Sequence, residues 1–490
     1  MKDIEGTPNG HHRDQLLQPS HHQIPQTDTQ PTYNSYARRT GTTPQKPEGL
    51  YKIDSPENTR PEETQLSTDK KSSRISGYYR LPTEERVKIL AEKADLTPEE
   101  IALLKSGGGL DLDVADRMIE NVVGTIAYPF GVAVNFRLNG EDVLVPMAIE
   151  EPSVVAAASN MARIMRDGDG IRTSCTDPVM IGQIQVLEIP DMDAAIKALE
   201  ESKPKLLQLA NEQDPILVKF GGGAKDIEHR VLETAAGKML ILHLLVDCRD
   251  AMGANAVNTM CETLAPLVNE ITGGRVLLRI ITNLADRRLT KATTVVKKEN
   301  LGGENVVDDI VAAWAFADAD PYRASTHNKG IMNGVIAAAL AVAQDHRALE
   351  AGAHAYAART GRYRSLSRWS KNDDGDLVGV LEMPMAVGIV GGATRTHPTA
   401  RLALKIMGVA KAQKLAEIFV AVGLAQNLGA LRALVQEGIQ HGHMRLHARN
   451  LVVMAGAEGD MIAKAVELIV ESGDIRFPKA QEIVNKLKEG

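Results

Sequence analysis

Between Ile181 and Asn283 the apolar positions change period several times, and each change marks an element. Ile181–Ile189 alternates apolar and polar residues like a strand, and Met192 to about Gln213 has helical spacing. Asp226–Glu233 and Lys238–Cys248 read as strands joined by a turn at Ala235-Ala236-Gly237. Asn255 to about Ile271 is helical and stops at Gly273-Gly274, after which Arg275–Thr282 is again a strand. The order β-α-β-β-α-β predicts a ferredoxin-like unit and excludes the repeated βαβ of a Rossmann fold. A dinucleotide site on this chain must therefore be built without GxGxxG.

The flanking segments have mixed patterns with more helix. Thr97-Pro98-Glu99-Glu100 predicts a helix start, with Thr97 as N-cap, Pro98 at the first helical position and Glu100 closing a capping box. Order is expected from about Leu81. The fold class predicted is α/β (α+β): a large, mostly helical domain from 76–180 and 284–436, an inserted small domain at 181–283, and a C-terminal helical unit at 437–490. Within that last unit, Leu451-Val452-Val453-Met454 reads as an apolar strand between Gly442 and Gly456, and a helix follows near Asp460–Glu471. Residues 1–75 are rich in Gln, Pro, Thr, Ser and Asn and predict a disordered extension, because they carry too little apolar surface to offset the entropy of ordering.

Composition narrows the function. A net charge of −7 and a pI near 6.0 argue against a nucleic-acid partner. No uninterrupted apolar run reaches the ~18–20 residues of a membrane helix, Val335–Ala343 being among the longest. Cys175, Cys248 and Cys261 form neither a CxxC pair nor a disulfide framework, which fits a reducing cytoplasm.

Three segments concentrate chemistry. Arg323 to Gly334 crowds Arg323, Thr326, His327, Asn328, Lys329 and Asn333 ahead of the apolar Val335–Ala343. A lysine in that setting can be partly desolvated and brought to a bound carbonyl oxygen; a plain polar loop before a buried helix is the competing reading. Ile149-Glu150-Glu151-Pro152-Ser153 runs into small residues, and Asp250-Ala251-Met252-Gly253-Ala254-Asn255 falls where a strand ends and a helix begins. Its glycine permits close backbone approach, and a helix N-terminus offers free N–H groups to a pyrophosphate. His441, His443 and His447, with Asp345 or Glu151, have spacing compatible with a zinc hydrolase.

Together with Glu120-Asn121-Val122-Val123-Gly124, Gln344-Asp345 and Gly442-His443-Met444, these segments resemble class II hydroxymethylglutaryl-CoA (HMG-CoA) reductase, the soluble form, from about Leu81 to the C-terminus. The resemblance implies interconversion of HMG-CoA with mevalonate plus CoA by two hydride transfers, with NAD(H), no metal and no membrane. It assigns Lys329 to the oxyanion, Glu151 to protonation of the aldehyde oxygen, Asp345 to tuning that pair and His443 to protonation of the CoA thiolate. Burial beside Pro152 and Val154–Ala158 is expected to keep Glu151 protonated.

The same resemblance gives Ser153, Asn283, Arg323, Thr326 and Asn333 to the hydroxymethylglutaryl group. For Arg323 the alternative is a structural pairing with Asp318 or Asp320. Asp250, Ala251, Met252, Gly253, Ala254 and Asn255 go to the dinucleotide, and Asp214 to its adenosine ribose, where a carboxylate favours NADH over NADPH. Lys219 is the nearest following base to Asp214 in sequence. The Glu120–Gly124 motif implies a homodimer or higher homo-oligomer, and the C-terminal unit a flap over the site. A non-catalytic acyl-CoA-binding oligomer is a third reading. Class I enzymes carry a phosphorylatable serine six residues beyond the catalytic histidine, where this chain has Arg449.

Sixteen residues separate Lys329 from Asp345, so one straight helix would hold them ~24 Å apart. Either the helix breaks and folds back, or the two residues come from different subunits.

Overall fold

The computed structural model describes residues 72–436 and 448–489. The first described residues are already packed: Ser73 donates through Oγ to the Phe136 carbonyl at 2.7 Å, and Ile75 is buried. Packing thus begins before Leu81, and the extension expected at 1–75 does not include 72–75; its remainder lies outside the described residues. The predicted capping box is present at helix α1 (Pro98–Lys105), with Thr97 and Glu100 exchanging both bonds.

Strands β1 (Phe130–Leu138) and β2 (Glu141–Ala148) form a hairpin across Asn139-Gly140. Both turn residues have positive φ (49° and 85°), the combination a two-residue primed turn requires. Helix α2 (Val154–Met165) and strand β3 (Ile171–Cys175) follow.

The chain then enters the small unit: β4 (Val179–Leu187), α3 (Met192–Asn211), a short α4 (Pro215–Lys219), β5 (Gly223–Thr234), β6 (Gly237–Asp247), α5 (Ala254–Thr272) and β7 (Arg275–Ile281). The four strands lie in the order β5-β6-β4-β7 with every neighbour antiparallel, as the ferredoxin-like order demands. Leu240, Leu242, Leu244 and Val246, alternate residues of β6, bury one face together with Leu206 of α3 and Val257, Met260 and Leu264 of α5.

From β7 the chain crosses through 282–288 into β8 (Leu289–Val296), then α6 (Pro321–Ala341), α7 (His346–Ala357), β9 (Ser367–Lys371), β10 (Leu377–Pro384) and α8 (Ala412–Gln436). A second sheet, β2-β1-β3-β8-β10-β9, joins strands from both flanks. Helix α8 packs on α6 and against β3, β8 and β10. Every residue from Ile418 to Leu428 is buried. This helix is long and apolar enough to cross a membrane by length and composition, although no uninterrupted apolar run in it is that long. Its place at the centre of the core accounts for that composition, since a helix buried all round has no polar face. A Cβ on Gly423 would meet Val335, Leu381 and Ile331 side chains at 2.9–3.1 Å, so the crossing of α8 over α6 depends on a bare Cα there. Truncating the fully buried Phe419 or Trp369 to Ala would cost about 3–5 kcal/mol.

Residues 448–454 are helical. The strand expected at Leu451–Met454 is therefore wrong. Ala448, Leu451, Val452 and Ala455 are buried while Val453 and Met454 are exposed, a helical spacing that a four-residue apolar window cannot reveal. With α9 (Met461–Glu471) and α10 (Phe477–Glu489) this segment forms a separate small core.

Candidate active site

Helix α6 starts behind Asp320, whose side chain accepts from the Arg323 N–H at 3.0 Å. All of Arg323–Gly334 is helical, so the polar-loop reading of this stretch fails. Arg323, Thr326, Gly330 and Asn333 recur every three or four residues and share one face with Lys329. That face lines an open cavity of about 2150 Å³, with Glu151 and Ser153 on the other side. The opposite face is locked into the core. His327 Nε2 sits 2.7 Å from Ser367 Oγ and 3.1 Å from Asn427 Nδ2. Asn328 donates to the Arg364 carbonyl and accepts from the Leu366 N–H, at 2.8 and 2.9 Å.

Glu151 projects from the turn between β2 and α2, where Ser153 holds a left-handed backbone (φ 76°). Its Oε2 accepts from Lys329 Nζ at 3.2 Å and from Asn333 Nδ2 at 3.4 Å. The side chains of Glu151 and Lys329 remain 34% and 62% exposed. The apolar enclosure expected for both is absent among the described residues, because Val154 turns inward to the core while Glu151 faces the cavity. Asp318 is held by Arg364, and Asp320 bonds backbone only. Among the described residues no acidic side chain reaches the Arg323 guanidinium, so its structural pairing does not occur. Burial pushes the Arg323 pKa down, which leaves a half-buried cation in search of an anion.

Asp345 and Asn283 belong elsewhere. Helix α6 ends at Ala341, about 18 Å along its axis from Lys329. The chain breaks through 342–344, with Ala343 at φ 51°, and Asp345 caps α7 by accepting from the Arg347 and Ala348 N–H groups. Its carboxylate pairs with Arg347 at 3.1 Å and bonds neither Lys329 nor Glu151. The break therefore does not fold Asp345 back onto Lys329. Asn283, on the crossover between the sheets, lies against Gly352 of α7 and does not line the cavity. His443 lies outside the described residues, as do His441 and His447.

The Asp250–Asn255 segment links β6 to α5 as expected. Gly253 has φ 106°, and a Cβ there would be driven into Cys248 Sγ. Among the described residues no side chain caps the first turn of α5. A dinucleotide phosphate fits this loop, since bare backbone and unclaimed N–H groups are what it requires. Asp250 itself serves the scaffold: its Oδ1 accepts from the Ala412 N–H at 2.7 Å, at the start of α8.

A family model described as hydroxymethylglutaryl-coenzyme A reductase matches residues 82–448. The chain belongs to this family. It is 56% identical to the 3-hydroxy-3-methylglutaryl-coenzyme A reductase of Archaeoglobus fulgidus over 417 residues, covering 85% of this chain and 95% of the relative. A probable reductase of Borreliella burgdorferi is 34% identical over 69% of this chain and 78% of its own length. The solved reductase of Streptococcus pneumoniae superposes with a TM-score of 0.73 at 38% identity, covering 84% of this chain and 99% of the other. A class II structure from the same organism, described as bound to NADPH in open conformations, gives 0.71 at 38% identity over 83% and 100%.

As an HMG-CoA reductase, the chain is an oxidoreductase of the mevalonate pathway, and the zinc-hydrolase reading has no support. Arg249 and Arg288 carry no signal of their own in the sequence, whereas Gln344 belongs to the Gln344-Asp345 segment already singled out. Arg249, distant from Asp214 in sequence, donates to the Gly221 carbonyl at 2.6 Å and pairs with Asp247 at 3.0 Å, just beyond α4. Arg288 and Gln344 bind the backbone around the Asp250–Met252 loop. Arg249 adjoins the loop in the chain, whereas Arg288 and Gln344 are brought to it only by the fold.

Proposed function

We propose that this reductase interconverts HMG-CoA with mevalonate and CoA at the cavity between α6 and the β2–α2 turn, in the cytoplasm, with NADH as the preferred cofactor. The observation that carries the reading is the half-buried Arg323 guanidinium, without an acidic partner among the described residues, on the helical face that also carries Lys329, which is bonded to Glu151. Arg323 is suited to the free carboxylate of the hydroxymethylglutaryl group, which it can grip through two N–H groups. Ser153, Thr326 and Asn333 line the same cavity and add short polar donors and acceptors. Lys329 stabilises the oxygen that gains charge when the thioester carbonyl, and later the aldehyde, is reduced. Glu151 delivers the proton to that oxygen, and His443 protonates the departing thiolate so that it does not re-add. The nicotinamide supplies or accepts the hydride in each step.

The Asp250–Asn255 loop holds the dinucleotide. Asp214 caps α4 through Oδ1, accepting from the Leu217 N–H at 2.9 Å, and its other carboxylate oxygen has no protein partner among the described residues. That oxygen is suited to a ribose hydroxyl and repels a 2′-phosphate. Arg249 is already engaged with Gly221 and Asp247, and so does not supply a phosphate site.

Asp345 and Asn283 complete the site from a second copy of the chain. The 119–129 arm supports this, since Val123 and Ile126 are 99% and 89% exposed beside the cavity and demand cover. An assay at 340 nm with HMG-CoA, or mevalonate plus CoA, and each nicotinamide cofactor in turn tests the whole reading. Absence of turnover in both directions would overturn it.

A further inference from the structure

Arg288 stands on the crossover between the two sheets, one residue before β8, and is 5% exposed. No carboxylate among the described residues lies within ion-pair distance of it. Its guanidinium binds three carbonyl oxygens: Nη1 donates to Ala251 and Met252 at 3.1 Å each, and Nη2 to Val387 at 2.6 Å. A buried cation without a contacting anion is costly, and salt-bridge chemistry does not explain its place here. Asp247 and Asp250 act on it only from farther off.

The two loop carbonyls are consecutive. A trans peptide points its C=O and the next N–H in opposite directions, and the described chain has no cis bond. Gathering the Ala251 and Met252 carbonyls onto Arg288 therefore turns the Met252 and Gly253 N–H groups the other way. Neither N–H finds an acceptor among the described residues. The clamp continues on its far side. Ile389 N–H donates to the Asp250 carbonyl at 2.9 Å, and Gln344 brackets Gly388 with two bonds, Nε2 to its carbonyl at 2.8 Å and Oε1 from its N–H at 2.9 Å. Gln344 immediately precedes Asp345.

We propose that Arg288 is the positioning residue of the dinucleotide site. It holds the Asp250–Gly253 loop with its N–H groups turned toward the cofactor's phosphates and ties that loop, through Val387–Gly388 and Gln344, to Asp345. This rests on the assignment of the loop to the cofactor. Because the clamp acts on phosphate-facing backbone, it affects NADH and NADPH alike, whereas Asp214 separates them.

The test is direct titration of NADH, NADPH and HMG-CoA by calorimetry, with melting temperature as the check on folding. Arg288→Met should raise Kd for both dinucleotides by a common factor of about tenfold or more, leaving the HMG-CoA Kd within about twofold. Arg288→Lys keeps the charge but lacks the planar fork, and most of the loss should persist. Unchanged dinucleotide Kd in a folded Arg288→Met variant, or full recovery with lysine, would overturn the proposal. If the methionine variant does not fold, the lysine variant decides alone. Ala254→Asp places an anion at the first position of α5, where it favours the helix but repels phosphate. If that variant binds dinucleotide normally, the loop assignment itself fails, whatever Arg288 does.

Discussion

Lys329 Nζ lies 3.2 Å from Glu151 Oε2, although 178 residues separate the two in the chain. The contact joins a helix face to a strand–helix turn, with Asn333 donating to the same oxygen. A cation and an acid on one substrate oxygen are what two successive carbonyl reductions need. Lys329→Ala should depress reduction of HMG-CoA and of free mevaldehyde together by about 100-fold or more in kcat. Steady-state kinetics on both substrates checks this, and a variant impaired on only one of them contradicts the assignment.

His443→Gln should separate the two steps. Only thioester reduction releases a thiolate, so that reaction should fall by about 100-fold or more, while mevaldehyde reduction stays near wild type. Equal losses on both substrates would make His443 a structural residue.

Arg323→Leu should raise the KM for HMG-CoA by at least about tenfold, the scale of a charge-assisted hydrogen bond. The cofactor KM should be unaffected. An unchanged HMG-CoA KM would remove Arg323 from the substrate site.

Wild-type enzyme should favour NADH by at least about tenfold in kcat/KM, about 1.4 kcal/mol. Asp214→Ala or Asp214→Lys should erode that preference chiefly by improving NADPH use. Arg249 stands near enough to sharpen the test: Asp247→Asn, by freeing its guanidinium, should also improve NADPH use. A wild-type preference for NADPH would end the role given to Asp214.

Burial pushes the His327 pKa down to about 3, with the Arg323 charge acting in the same direction. The unfolded chain titrates near 6.5, so below that pH it binds a proton that the folded chain refuses. The stability this neutral histidine confers is fully present above pH 6.5 and is lost as the pH falls toward about 3. At pH 5 the loss should be about 2 kcal/mol. Urea midpoints at pH 7 and pH 5 should converge in His327→Gln relative to wild type. An identical pH dependence in the two proteins would show that His327 titrates normally.

Much of the fold was legible from local signals. The four strands and two main helices of the small unit follow from period changes and from Gly273-Gly274, and the Thr97–Glu100 capping box is written in four residues. The Asn139-Gly140 turn between alternating apolar residues is a local signal of the same kind. These signals work because turn geometry and hydrophobic period act between near neighbours in the chain. They gave the wrong answer where the window was short, at Leu451–Met454, and missed α8, whose apolar stretch is broken by occasional polar residues.

The chemistry divides in the same way. Motif residues put the Asp250–Asn255 loop between a strand and a helix, where it lies, but the apolar settings they implied for Lys329 and Glu151 do not appear among the described residues. Local pattern carried no sign that Asp318 would be taken by Arg364, leaving Arg323 without an acidic partner among the described residues, or that Asp250 would accept from the start of α8. Nor could it show that Asp345 would stay apart from Lys329, or that Arg288 would gather three carbonyls from segments up to 99 residues away. Backbone carbonyls have no signature in a sequence, and the charge a side chain meets depends on which distant segments share its neighbourhood. The chain's letters set its elements and its reactive groups; the packing of α6, α8 and the crossover at 282–288 decided which of those groups meet.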